Sequence, residues 1–180
     1  MLSGLSYNIY HGRNLDQITA WLNNLPQSFD ILCFQEFPHA YIPYLQDHLK
    51  PFHYDFHYAT SFKHGEDDYG ELTLTDRTKL EVVAHSIVPL GTSFIEEQLL
   101  KLQSGRSALL TKLRYEKKSF LLVNTHLLAY ASNQKRREQL AVVMRAVKDY
   151  LEKETMPVVV LGDMNYTSLL NRDRLFNLIR

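Results

Sequence analysis

Eight residues in this chain combine hydrogen-bonding or ionisable side chains with a position at the end of an apolar run. They are Asn8 in "SYNIYHG", Gln35 and Glu36 in "CFQEF", Asn124, Thr125 and His126 in "VNTHL", and Asp163 and Asn165 in "VVVLGDMN". Taken singly, a strand-end Asn is usually a turn former and a strand-end Asp usually caps the next helix. Four such ends in one chain suggest more. If the sheets align them on one rim, a carboxylate pair, an imidazole and carboxamides converge. Glu36 and Asp163 supply hard oxygen suited to Mg²⁺ or Mn²⁺. His126 can donate to an anionic oxygen, and Asn8 and Asn165 can fix a water or a phosphate oxygen without adding negative charge. Such a set fits metal-assisted hydrolysis of a phosphoester better than acyl transfer.

Other reactive side chains have blander explanations. Cys33, the only cysteine, lies in the apolar run "DILCF" with no local base, so it reads as a packing residue in a chain without disulfides. His53 and His57 are four apart, but the segment "PFHYDFHYAT" alternates with period two. A ligand pair at that spacing presupposes a helix, so these read as two exposed strand histidines beside the inward Tyr54, Phe56 and Tyr58.

The elements that must position the rim follow from the apolar pattern. Leu2 to Ile9 reads as a strand. "NLDQITAWLNNL" places Leu15, Ile18, Trp21, Leu22 and Leu25 on one helical face, with Asn14 as N-cap and Gln17 reaching back. "FDILCFQEF" is a short buried strand, and "KHGEDDYGE" a polar loop. "LTLTDRTKLEVVAHSIVPL" reads as a hairpin, and "SALLTKLRYEKKSFLLVNTHL" as two strands joined at "YEKK". After Ser132 an amphipathic helix carries Leu140, Val143, Met144, Val147 and Leu151 inward; "VVVLGD" is a strand and "LLNRDRLFNLIR" a final helix. The order β-α-β, antiparallel strands, α-β-α predicts one domain over residues 1–180. Its fold is an α/β sandwich of four layers, with two mostly antiparallel sheets flanked by helices.

Composition is that of a globular domain, with 45% hydrophobic and 22% charged residues. The net charge of +0 hides an acidic first hundred residues and a basic stretch over residues 101–153. "KRR" at Lys135–Arg137 could attract phosphate, although a solvated helix face is the simpler reading. No leader and no apolar run near the roughly 20 residues of a membrane span is visible, which points to the cytoplasm.

The ordered motifs "YNIYHGR", "FQE", "RSALLTKL…FLLVNTHL", "RREQL" and "VVVLGDMN" resemble the endonuclease/exonuclease/phosphatase, or DNase I-like, superfamily from Leu5 to about Arg174. The resemblance implies a divalent cation, Mg²⁺ or Mn²⁺, ligated by Glu36 with Asn8 beside it. It implies that His126 hydrogen-bonds the scissile phosphate, that Asp163 orients or deprotonates the attacking water, and that Asn165 holds that water or a phosphate oxygen. Tyr69 would add a polar contact to the phosphate. The implied substrate is a phosphoester in a nucleic acid, a phospholipid headgroup or a sugar phosphate.

The chain departs from the family at its end. Complete members carry a further strand, often like "IDYIF", and a closing "SDH", whereas here the last histidine is His126 and the only aspartate after Asp163 is Asp173. The expectation is a C-terminally incomplete domain whose hydrolysis is slowed by the ~10²–10⁴-fold that an acid–base group contributes. Its second sheet would expose an edge that a partner or second copy covers. His64, Asp67 and Asp68 could stand in for the missing pair, although a solvated polar loop is the simpler reading. The alternative is an inactive homologue that binds a phosphorylated ligand or a protein.

Overall fold

The computed structural model describes residues 1–13, 15–24, 28–102 and 105–166. Strand β1 (Gly4–Asn8), helix α1 (Leu15–Asn23) and strand β2 (Ile31–Pro38) open the chain, and α2 (Ile42–His48), β3 (Tyr54–His64) and β4 (Asp67–Asp76) follow. The second half contains β5 (Leu80–Gly91), β6 (Arg106–Tyr115), β7 (Lys118–His126), α3 (Asn133–Leu151) and β8 (Val158–Asp163). One sheet runs β1-β2-β4-β3 and the other β5-β6-β7-β8. Each has a single parallel pair, β1 with β2 and β7 with β8, and is otherwise antiparallel. The four-layer α/β sandwich predicted from the element order is the observed fold.

Period-two alternation builds the layers. Leu32, Phe34, Leu72 and Leu74 face outward under Leu15, Ile18 and Leu22 of α1 and Leu45 of α2. Ala108, Leu110, Leu121 and Val123 face outward under Leu140, Val143 and Val147 of α3. Between the sheets, Ile31 and Cys33 meet Leu80, Leu113 and Leu122. Burial pushes the Cys33 thiol up to about 12, as expected for an inert packing residue. Ser132 caps α3 by accepting from the Lys135 N–H, worth about 1 kcal/mol.

Several local expectations are corrected. β4 and β5 do not form a hairpin: β4 is already paired on both sides, by β2 and β3, so the chain crosses to start the other sheet. "KHGEDDYGE" is not a loop but the tight end of the β3–β4 hairpin, where His64 pairs with Asp67. Trp21 is 45% exposed rather than on the inner face of α1. His57 is not exposed but half-buried, its ring 5.1 Å from that of His85 on the facing sheet. His53 precedes β3 in a left-handed conformation, and α2 is not visible as a separate helix in the apolar pattern. Part of the basic stretch is paired or buried: Arg114 bonds Glu81, Lys135 bonds Glu138, and Arg136 is buried on the Leu128 and Ala129 carbonyls. The N-cap Asn14, Leu25 and the final helix lie outside the described residues.

Among the described residues β1 and β8 are each an edge strand, as are β3 and β5 at the opposite ends of their sheets. An apolar groove of about 460 Å³ opens between β1 and β8, lined by Leu2, Ile31, Phe120, Val159 and Leu161 among others. No described helix is long and apolar enough to cross a membrane.

Candidate active site

Strand parity and one β-bulge decide which side chains reach the rim. In β1 Leu5 packs on the helical side, while Ser6 bonds Gln35 and Asn8 reaches Asp163, both between the sheets. In β7 the outward Leu121 and Val123 alternate with Leu122, Asn124 and His126. In β8 the outward Val158 and Val160 likewise leave Leu161 and Asp163 inward. Parity alone would send Glu36 outward with Leu32 and Phe34. The register between β2 and β4, however, shifts between Phe34 and Phe37. Glu36 takes the extra place with φ +56°, a conformation costing a non-glycine residue about 1 kcal/mol or more. The bulge turns Glu36 to the same rim as Gln35 and returns Phe37 to the outer core.

The carboxyl ends of β1, β2, β7 and β8 therefore meet at one edge of the sandwich. Asn8 Nδ2 donates to Asp163 Oδ2 over 3.0 Å and lies 3.5 Å from Glu36 Oε1, bridging the two carboxylates. Its carbonyl accepts from the Tyr10 N–H. His126 is 1% exposed, with Nδ1 3.8 Å from Glu36 Oε1 and Nε2 3.8 Å from Asp163 Oδ2. Asn165 turns back through its own N–H to Asp163 Oδ1 (2.9 Å), and its Nδ2 lies 2.9 Å from His126 Nε2. Asn8, Glu36, His126, Asp163 and Asn165 are thus brought together. Burial, reinforced by the nearby Arg106 charge and His11, pushes the His126 imidazole well below its usual range and keeps it neutral at physiological pH.

Gln35 and Asn124 sit one step deeper. Gln35 Nε2 donates to Asn124 Oδ1 (2.8 Å), and Asn124 Nδ2 donates to the Leu72 carbonyl (3.1 Å) and Thr73 Oγ1 (3.2 Å), tying the sheets beneath the rim. Tyr69 is set back: its hydroxyl donates to Asp67 over 3.4 Å and its ring packs 4.9 Å from that of His11. His64 lies behind His11, ring to ring 5.9 Å.

Two participants carry no sequence signal beyond their presence in the quoted motifs. His11, in "YNIYHGR", bonds Glu36 Oε2 through its backbone N–H and brings its Nε2 to 3.2 Å from the same oxygen. Burial lowers its pKa, partly offset by Glu36. Arg106, the first residue of "RSALLTKL", faces His126 Nδ1 at 3.1 Å and bonds Glu96 at 2.9 Å. Among the described residues no three His, Cys, Asp or Glu side chains gather into a metal cluster.

A sequence model of the Endonuclease/Exonuclease/phosphatase family matches residues 5–179. The chain belongs to that family. The family's members are phosphoester hydrolases, and the rim at the strand ends is where this chain gathers its polar residues. The comparison with curated proteins returns no match. Solved structures share the fold. Danio rerio TDP2 complexed with single-strand DNA product is 21% identical at a TM-score of 0.68, over 96% of this chain and 64% of that one. ANGEL2, a 2',3'-cyclic phosphatase, is 18% identical at 0.73, over 93% and 54%. The mannosyl-6-phosphatase of Bacteroides thetaiotaomicron is 17% identical at 0.71, over 93% and 67%. The chain spans about half to two thirds of these neighbours.

Proposed function

We propose that this chain hydrolyses a phosphoester with the help of a divalent cation, and that the Asn8–Glu36–Asp163 bridge across the two sheets is the observation that carries this reading. The donor set fits a hard cation: with one or two carboxylates and no larger cluster among the described residues, water completes the shell, as Mg²⁺ prefers and Mn²⁺ accepts. Glu36 holds the ion, with Asn8 beside it. When bound, such an ion neutralises charge on the phosphoryl and leaving oxygens.

The chain's own residues do the remaining work. Asp163, with its side chain 34% exposed, is the carboxylate open to a water molecule, and Asn8 and the Asn165 N–H hold its two oxygens in place. It orients that water for in-line attack and accepts its proton. The neutral His126 donates to a phosphoryl oxygen, and Asn165 holds the same oxygen or the water. Tyr69 acts by packing against His11, which in turn steadies Glu36. The TDP2, ANGEL2 and mannosyl-6-phosphatase structures concern a single-strand DNA product, a cyclic phosphate and a sugar phosphate. What their substrates share is the phosphoester.

The test is hydrolysis of bis-p-nitrophenyl phosphate with and without Mg²⁺ or Mn²⁺ by the chain, Glu36→Ala and Asp163→Ala. Metal-dependent turnover lost in both variants is expected. Equal background rates in all three, with phosphate-analogue binding retained, would establish a binding protein instead.

A further inference from the structure

The two nitrogens of His126 meet contradictory neighbours. Arg106 Nη1 lies 3.1 Å from Nδ1, and a guanidinium can only donate, so Nδ1 must present its lone pair. A neutral imidazole then carries its proton on Nε2. Yet Nε2 faces another donor, the Asn165 Nδ2, at 2.9 Å. Rotating the Asn165 amide does not resolve this. Its Nδ2 also donates to the Leu127 carbonyl over 2.9 Å, and a flip would set two oxygens against each other there. Arg106 is the partner that cannot yield. Its Nη2 bonds Glu96 Oε1 over 2.9 Å, with both side chains at most 3% exposed, and its guanidinium lies 4.5 Å from the Phe62 ring centroid. Glu96 Oε1 is fixed in turn by the Ala129 N–H.

We propose that Arg106, anchored by Glu96 and Phe62, is a positioning residue that fixes the Nε2-protonated tautomer of His126. Nε2–H and the Asn165 Nδ2 thereby form a pair of converging donors that, among the described residues, lacks an acceptor between them. An anionic phosphoryl oxygen supplies that acceptor. The donors are set before the substrate arrives, which is the arrangement that most favours charge developing on such an oxygen. The inference rests on the phosphoesterase reading for its purpose but not for its geometry.

The experiment records long-range ¹H–¹⁵N correlation spectra of the ¹⁵N-labelled full chain above pH 7, with His126 assigned by its loss in His126→Gln. The expected pattern is a bare Nδ1 and a protonated Nε2. In Arg106→Met/Glu96→Gln, which removes both buried charges together, the Asn165 donor wins and the proton moves to Nδ1. Arg106→Lys keeps a donor at Nδ1 and restores the wild-type pattern. Turnover of the double variant falls about 10–100-fold, and KM for the phosphoester rises with the loss of the donor pair. A wild-type His126 protonated on Nδ1 overturns the proposal, whether or not any variant folds. So does a folded double variant that keeps the wild-type tautomer. A wild type that hydrolyses nothing while its Nε2 carries the proton sinks the phosphoesterase reading and leaves the Arg106 relay standing.

Discussion

Asn8 and Asp163 stand 155 positions apart in the chain, and the amide of one donates to the carboxylate of the other over 3.0 Å. That bond joins the carboxyl end of β1 to the carboxyl end of β8 and so closes the rim across both sheets. A hydrogen bond to a charged group contributes about 1.5–3 kcal/mol. Asn8→Ala is expected to lower kcat/KM about 10–100-fold with the fold retained by circular dichroism. Asn8→Asp, which adds a third carboxylate beside Glu36 and Asp163, is expected to be worse than the alanine. An aspartate variant as active as the wild type would show that the bridge has no role.

Glu36 combines its place at the rim with a left-handed backbone at φ +56°. Glu36→Gly and Glu36→Ala both delete the carboxylate, so both should weaken Mn²⁺ binding, read by titration calorimetry. They differ only in backbone freedom, and glycine should be the more stable by about 1 kcal/mol in urea unfolding. An alanine variant at least as stable as the glycine one would mean that the bulge stores no strain.

Gly162 lies between Leu161 and Asp163 at φ +139°, and a Cβ placed there would come 1.8 Å from the Thr125 carbonyl oxygen. No side-chain rotation relieves a clash with backbone. Gly162→Ala should therefore push β8 away from β7, costing about 1–3 kcal/mol as overpacking does. Turnover should also fall, since Asp163 is the next residue. Unchanged urea midpoints would contradict this close approach.

Glu71 is fully buried between the sheets, and desolvation raises it to about 7 despite donation from Ser107 and Ser61. The unfolded chain loses this proton near pH 4.5 while the folded chain keeps it to about pH 7. The native state thus binds more protons across that window, and this group's contribution to stability declines as pH rises through it. Glu71→Gln stays neutral and should remove the decline, so that the difference in unfolding free energy between variant and wild type grows from pH 4.5 to 7. A difference independent of pH would show that Glu71 does not titrate there.

That β1, β7 and β8 are strands with polar residues at their ends was readable from residue order, because a short apolar run is a local property. It places Asn8, His126 and Asp163 at the ends of their strands, and the βαβ units at both ends make the four layers follow. The motif order also carried family membership over nearly the whole chain. Residue order could not reveal the Glu36 bulge, because its extra residue is defined only against β4. Nor could it separate β4 from β5, since pairing both edges of β4 is a tertiary event. The links from His11 to Glu36, and from Arg106 to His126 and Glu96, arise where loops and strands distant in sequence meet in a buried space. There, proximity and desolvation rather than local pattern assign each side chain its charge, its tautomer and its partner.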